Sequence, residues 1–517
     1  MKKTAMVLSR TNFGINRRGF VRSGCTLCAG LMAGTNVLRA EKTSGKLRIR
    51  VIFVMHAIKQ NKPDWPYLGF DFAPVLSEIK NTLTNAFPDI EFLFSTATGA
   101  VQANAILAKD LFSRIDGYIV YQMNNWNLVV QSIVATGKPV LFVDYTYGGS
   151  GGVLVYSAML SRAGVKNLGV VCSQKTQDII SAVKCFELLK SGASASDFAR
   201  AVTQVRKERT PSPGDLTFLP DPVPAISIDE VLARMAESKI LAVGYPGVSL
   251  LGIRQIPMEK ISFAELNSAW KEADQDHAFE IAKRWQNSAQ AVRDVSEETL
   301  ISSAKMYLGM KSLLKKHQAN AITINCLVGF YSKAIQAYPC LGFYELNNEG
   351  LVGACECDVR SAATMLAVNF LTNGRPGYIS DPVLDSSERR IIYAHCVASN
   401  RVFGPDGPEN PIEILTHSED RKGASVRSIL PSGYIVTTLE FAPEKKQVLL
   451  HQAKAIGNDP NDRACRTKLV AEPIGDFEKL FTMWDLWGWH RVTVYGDLKE
   501  QVFALADRLG YQVIQEA

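Results

Sequence analysis

Acidic side chains are missing from the first 40 residues, where seven Lys or Arg stand unopposed. The pair Arg17-Arg18 precedes a mildly apolar run over 25–38, and Ala40 is a small residue suited to cleavage. Residues 1–40 therefore read as a twin-arginine export signal, which predicts a periplasmic or otherwise extracytoplasmic address. A membrane anchor is not expected, because the run is short and broken by Gly, Thr and Asn. Cys25-Thr-Leu-Cys28 likewise lacks the aliphatic and small residues that precede a lipidated cysteine.

A basic excess is missing too once that segment is set aside. The chain has 57 basic and 51 acidic residues; without the leader's seven, 50 face 51, a net charge of −1. Nothing then argues for nucleic acid or an anionic membrane surface as a partner. Repeats and low-complexity tracts are also absent. Of 517 residues, 477 remain beyond the leader, enough for about three domains, and the 47% hydrophobic content is ample for buried cores.

Cysteine is sparse for a disulfide scaffold. Eight lie beyond the leader, at 172, 185, 326, 340, 355, 357, 396 and 465, mostly inside apolar segments. In a chain this large they are expected as reduced, buried thiols. A structural zinc site on Cys355, Cys357, His395 and Cys396 is disfavoured. Alternation along a strand would aim both Cys355 and Cys357 away from Glu356, and would point adjacent His395 and Cys396 oppositely. The glycine-rich stretch 147–152 lacks the Gly-Lys-Ser/Thr of a phosphate loop and the spacing of a dinucleotide fingerprint, which leaves a flexible connection.

What is present is β/α alternation. Strands are expected over 47–54, 91–94, 117–121 and 139–143, with helices over 72–87, 101–113 and 126–136 between them. That order predicts a doubly wound parallel sheet whose ligand-facing loops follow the strand C-termini. Gln122, Asn125 and Trp126 fall in such loops, as do His56, Trp65 and Asn124. Amides for hydroxyls and rings for sugar faces make them candidate substrate-binding residues. A second α/β unit begins near 168 and includes the proline-rich insert 210–224, which cannot be regular structure. It continues with a strand from 239, a charged helical stretch over 263–292, a helix through 316 capped by Asp294 and Glu297, and a strand over 321–326. Beyond 395 the pattern turns β-rich, with a hairpin over 433–451 and a helix over 498–509. The expected domains are 41–165, 166–340 and 341–517, the last carrying a barrel-like part.

The informative stretch is 340–396. Residues 350–358 read as a strand that puts Glu356 on the face opposite Cys355 and Cys357. A helix follows over 359–371 and stops at Asn373-Gly-Arg-Pro-Gly377, after which a strand over 378–381 ends on Asp381. A third strand, 390–395, ends on His395, and far downstream His490 stands among Trp484, Trp487 and Trp489 just before another strand. Two carboxylates and one or two imidazoles without sulfur form a mixed O/N set suited to Mn²⁺ or Mg²⁺.

The segments Ala-Cys-Glu356-Cys-Asp358, Ile-Ser-Asp381, Tyr-Ala-His395-Cys396 and Gly-Trp-His490-Arg-Val-Thr-Val-Tyr-Gly-Asp497 resemble the C-terminal half of the L-fucose isomerase and L-arabinose isomerase group of metal-dependent sugar isomerases. The order Glu, acid, His, His, with gaps of 25, 14 and 95 residues, is similar to the four metal ligands of the arabinose enzymes. The fucose enzymes resemble the chain with three ligands, at Glu356, Asp381 and His490. The resemblance covers the chain from about residue 320 and implies two doubly wound α/β domains with a β-rich α+β C-terminal domain. It further implies Mn²⁺ or Mg²⁺, a small-molecule sugar as substrate, a homo-oligomer, and an aldose to ketose interconversion through an enediol. In that reading Glu356 and Asp381 are both ligands and acid/base groups, while Trp489 excludes water or stacks on the sugar. Two other readings stay open: an exported sugar-binding protein without turnover, and a different metal-dependent reaction on a polyol.

Overall fold

Alternating Ile, Val and Phe fill the first strand, β1 (Leu47–Val54), and both its faces are buried. Ile49, Val51 and Phe53 enter one apolar core while Ile52 and Val54 enter another, as in a parallel sheet covered on two sides. The computed structural model describes residues 45–224, 226–247 and 256–517; the segment expected to be an export signal lies outside them. β1 pairs with β2 (Ile90–Ala97) and β3 (Gly117–Gln122), followed by β4 (Val140–Asp144) and β5 (Leu168–Val171). The sheet is parallel in the order β2-β1-β3-β4-β5.

Two expectations in this region are corrected. The helix expected over 126–136 is confined to Val130–Val134, because Trp126 and Leu128 adopt left-handed backbone with φ of 62° and 53°. The glycine-rich stretch is not a flexible connection. It opens the buried helix Ser150–Arg162, where a Cβ at Gly151 would lie 2.8 Å from the Trp489 ring. Glycine is required there because an indole occupies the space of its side chain.

The proline-rich insert is irregular, as its prolines demand. It is pinned by a bidentate ion pair from Arg375 to Asp221, with N–O distances of 2.6 and 2.7 Å. A second parallel sheet joins β6 (Ile240–Val243), β7 (Met258–Ile261), β9 (Ala321–Ile324) and β10 (Val352–Ala354) in the order β10-β9-β6-β7. The charged stretch expected as helical over 263–292 is two helices, Phe263–Glu272 and Gln275–Ser288, followed by the short strand β8 (Ala291–Arg293). Asp294 is not the cap of the next helix: its φ is 57°, and Ser296 accepts the Thr299 N–H to start Glu297–Lys316. β8 also pairs with a small ladder of β13 (Ile412–Leu415) and β14 (Ser425–Ser428).

The C-terminal part closes into a barrel. Its strands are β11 (Tyr378–Asp385), β12 (Arg390–His395), β15 (Ile435–Ala442), β16 (Gln447–Asn458), β17 (Thr467–Pro473) and β18 (Arg491–Tyr495). They run β15-β18-β11-β12-β17-β16, and β15 pairs back onto β16, which removes the edges. β19 (Gln512–Gln515) extends β16 in parallel. The fold is thus mixed α/β, with two parallel-stranded α/β sheets and a β-rich C-terminal part, as the sequence predicts. Among the described residues no helix is long and apolar enough to cross a membrane.

Ser296→Ala should lower unfolding free energy by about 1 kcal/mol, and Ser296→Asp should restore it, as read by denaturant titration. Equal stability of the two variants would return the cap to Asp294.

Candidate metal centre

Sheet register brings three of the four candidates together. β11 pairs with β18 through Ser380 opposite Arg491, and with β12 from Asp381 opposite Ala394 onward. At Asp381 the strand therefore changes partner, with His490 just before β18 on one side and His395 at the end of β12 on the other. Asp381 is mid-strand rather than terminal, since β11 continues through Pro382 to Asp385. Pro382 lacks an N–H, which suits a point where pairing switches.

The fourth candidate arrives from the second sheet. β10 stops at Ala354, so Glu356 is not on a strand; it and Cys357 are consecutive left-handed residues with φ of 60° and 54°. Such conformations cost of order 1 kcal/mol or more per residue and need external support. Cys357 N–H donates to Ile324 O at 2.9 Å and Glu356 N–H to Cys326 Sγ at 3.4 Å. The thiols part company: Cys355 lies 3.2 Å from Cys326 Sγ, and Cys357 donates to Val243 O. The turn leaves the Glu356 carboxylate 30% exposed, with Oε2 3.6 Å from His490 Nε2.

Two buried polar atoms in this cluster have no hydrogen-bond partner, Asp381 Oδ1 and His395 Nε2. Asp381 Oδ1 lies 3.2 Å from His490 Nε2, close enough for an ion pair but without hydrogen-bond alignment. The other nitrogen of His395 accepts the Cys396 N–H at 2.9 Å, so Nε2 is the one left facing the cluster. Ligand atoms of Asp381, His395 and His490 lie within 4.8 Å of one another, as do those of Cys355, Glu356 and His395. Polar atoms left unpartnered this deep are costly unless something satisfies them. An acid, two imidazoles and a second acid fit a divalent cation of the Mn²⁺ or Mg²⁺ kind. Cys357 and Cys396 belong to neither group.

Sequence reasoning missed Asp358. It caps the helix Val359–Leu371 by accepting the Arg360 and Ser361 N–H groups, and its Oδ2 lies 2.9 Å from His490 Nδ1. That carboxylate fixes the His490 ring and leaves Nε2 toward the cluster, the usual support for a metal-binding imidazole. The available signal was an acid directly before a helix, which read only as a cap. Burial opposes charge on both groups. The hydrogen bond and His490 charge nevertheless hold Asp358 well below the usual carboxylate range. Asp358, Asp381 and Glu356 hold His490 well above ordinary imidazole. Burial, with Asp381 adding its charge, raises Glu356 against the pull of His490 and His395.

The expected substrate-binding residues divide. Trp489 donates its indole N–H to Pro382 O at 3.0 Å and stands edge-on to Trp65 and Trp126 at 5.0 and 5.6 Å. Trp126 is 43% exposed. Gln122 and Asn125 are buried: Gln122 ends β3 and donates to Asn124 O at 2.6 Å, and Asn125 accepts the Gly152 N–H at 3.2 Å. Both tie the loop that carries Trp126 to the start of the glycine-rich helix. Their side chains do not line an open cleft. A further carboxylate, Glu419, approaches from the loop after β13 and accepts Tyr331 O–H at 2.5 Å. Two cavities of about 400 and 540 Å³ lie elsewhere, around Arg284 and Glu349, and hold none of these residues.

No protein-family model matches the chain. Among curated proteins, the sulfoquinovose isomerase of Clostridium sp. (strain MSTE9) is 24% identical over 296 residues, 54% of this chain and 65% of the relative. The sulfoquinovose isomerases of Priestia aryabhattai and Priestia megaterium are each 21% identical over 223 residues, 42% of this chain and 48% of the relative. The chain thus spans between about half and two thirds of the length of these relatives.

Burial pushes the Glu419 carboxyl up to about 8 from an ordinary 4.5, with Asp64 and Glu356 adding to it against His417 and Tyr331. A raised acid is protonated when folded over a range where the unfolded chain has already ionised. Stability is therefore present below about 4.5 and lost as pH rises through about 8. In metal-free protein, Glu419→Gln should reduce the fall in unfolding free energy between pH 5.5 and 7.5 by roughly one proton's worth, about 1.4 kcal/mol per pH unit. An unchanged slope in chemical denaturation at several pH values would show that Glu419 is ionised when folded.

Proposed function

We propose that the protein is a divalent-metal-dependent ketol-isomerase that interconverts an aldose and a ketose through an enediol. The observation that carries this is the meeting of Glu356, Asp381, His395 and His490, with two of their buried ligand atoms orphaned. The relatives named sulfoquinovose isomerase support an isomerase acting on a sugar, and sulfoquinovose, a sulfonated hexose, is the first compound to test.

Glu356, Asp381, His490 and His395 would hold Mn²⁺ or Mg²⁺, and the bound cation would supply Lewis acidity that makes the C–H beside the sugar carbonyl easier to deprotonate. Asp358 keeps the His490 ring in place through Nδ1. Glu356 and Asp381 flank the reacting carbons; one takes the C2 proton and returns it to C1, and the other moves the hydroxyl proton from O2 to O1, so that the double bond passes from C1–O1 to C2–O2. Trp489 and Trp126 cover the cleft and give the sugar an apolar face.

The leader supports export by the twin-arginine route. So does the state of the eight cysteines in the described residues, all of them free and buried, which suits a chain that folds in a reducing compartment before crossing. Assembly into a homo-oligomer belongs to the same proposal.

Glu356→Gln should lose bound manganese and cut turnover at least about 10³-fold, read by metal analysis and product analysis on the same samples. A metal-free wild type that binds sugar without converting it would instead indicate a binding protein. Asp358→Asn keeps a helix cap but removes the charge beside His490. It should weaken Mn²⁺ binding by about 10–100-fold in calorimetric titration, with the metal-free melting temperature little changed. Wild-type affinity in that variant would remove Asp358 from the site.

A further inference from the structure

At the C-terminal end of β1 the chain makes a second arrangement of acid and imidazole that the isomerisation chemistry leaves unused. His56 Nε2 lies 2.8 Å from Asp64 Oδ2. The other oxygen of Asp64 accepts the Trp65 N–H at 2.7 Å, and the His56 backbone N–H donates to Asn124 Oδ1 at 2.8 Å. Both members are therefore anchored. Since Nε2 is spent on the carboxylate, the lone pair falls on Nδ1, which has no partner among the described residues. The His56 side chain is 18% exposed, enough to be reached by a small molecule.

The loop that carries the dyad packs against the loop that carries His490. Trp65, next to Asp64, meets Trp489, next to His490, with ring centroids 5.0 Å apart. Four residues beyond Asp64, Leu68 N–H donates to Glu419 O at 2.7 Å, which ties this loop to the one carrying Glu419. The loops that carry the dyad and the cluster are thus joined through a pair of tryptophans and a backbone hydrogen bond.

A hexose in water exists almost wholly as a cyclic hemiacetal, whereas enediol chemistry needs the free carbonyl. Glu356 and Asp381 are engaged in moving protons about C1 and C2. Ring opening therefore calls for another acid/base group, placed where the ring oxygen and anomeric hydroxyl can lie.

We propose that His56 and Asp64 open the sugar ring before isomerisation, a step that rests on the isomerase reading above. His56 Nδ1 takes the proton from the anomeric O1–H, and that bond's electron pair becomes the second C1–O1 bond. The C1–O5 bond breaks with its pair going to O5, which receives the proton back from the imidazolium. Asp64 stabilises the imidazolium while it carries the proton and keeps the tautomer correct. No atom or electron is gained or lost, so no co-reactant is required. His56 is then a catalytic residue and Asp64 a positioning residue.

The test uses the metal-loaded full-length mature protein. Wild type is assayed on a panel of hexoses including sulfoquinovose; turnover of none would overturn the isomerase reading and this inference with it. On a hexose that turns over, His56→Asn should lower the rate at low enzyme by about 10²–10⁴-fold. As enzyme is added, its rate should level off at the spontaneous ring-opening rate, whereas the wild-type rate keeps rising in proportion. Exchange of the C2 hydrogen of D-glyceraldehyde, a triose that cannot close a pyranose ring, should stay within a few-fold of wild type. Asp64→Asn should show the same plateau with a smaller loss, which protects the test if His56→Asn fails to fold. A variant rate that rises in proportion to enzyme without levelling, or equal losses on the hexose and the triose, would overturn the assignment.

Discussion

The candidate centre depends on one event in the barrel, the change of partner that β11 makes at Asp381. Because Ser380 lies opposite Arg491 and Asp381 opposite Ala394, the residues flanking those pairs, His490 and His395, are delivered to the two sides of one carboxylate. A one-residue slip in either ladder would turn Asp381 to the other face of the sheet. Closure of the barrel through β15 and β16 makes such a slip expensive, since every ladder would have to move together.

The second contribution is a strained turn. Glu356 reaches the cluster only because two successive non-glycine residues accept left-handed backbone, stabilised by hydrogen bonds to Ile324 and the Cys326 sulfur. Strain at a functional carboxylate is tolerable when neighbours over-determine it. Here the neighbours are the end of β9 and a pair of buried thiols. The same thiols pack, and they accept or donate weak hydrogen bonds behind the carboxylate.

The N-terminal sheet supplies the roof. Gly151 has no side chain where Trp489 needs room, and Trp489 in turn reaches Trp65 and Trp126. Tight packing of an indole on a helix start is what couples the parallel sheet to the barrel, and through Trp65 it also sets the place of His56 and Asp64. Gln122 and Asn125 serve this coupling from inside, which is why polar residues expected at a sugar surface are buried. Their spacing after β3 carries no information on which way they face. That depends on the glycine-rich helix packed over them.

Much was legible in the chain. Strand and helix alternation, the irregular proline-rich insert and the β-rich end follow from local periodicity and from proline's missing N–H, which do not depend on distant residues. Glu356, Asp381, His395 and His490 stood out together, because their order and gaps resemble the metal ligands of a sugar isomerase group, although each alone reads as an ordinary strand-end residue. Asp358 and Glu419 were not legible, because an acid before a helix or in a loop is ordinary until something distant points at it. Sequence alone thus determined which residue types could do chemistry and roughly where elements begin and end. Only the tertiary structure decided which of them meet, because register, left-handed turns and packing between sheets are set by contacts hundreds of residues apart.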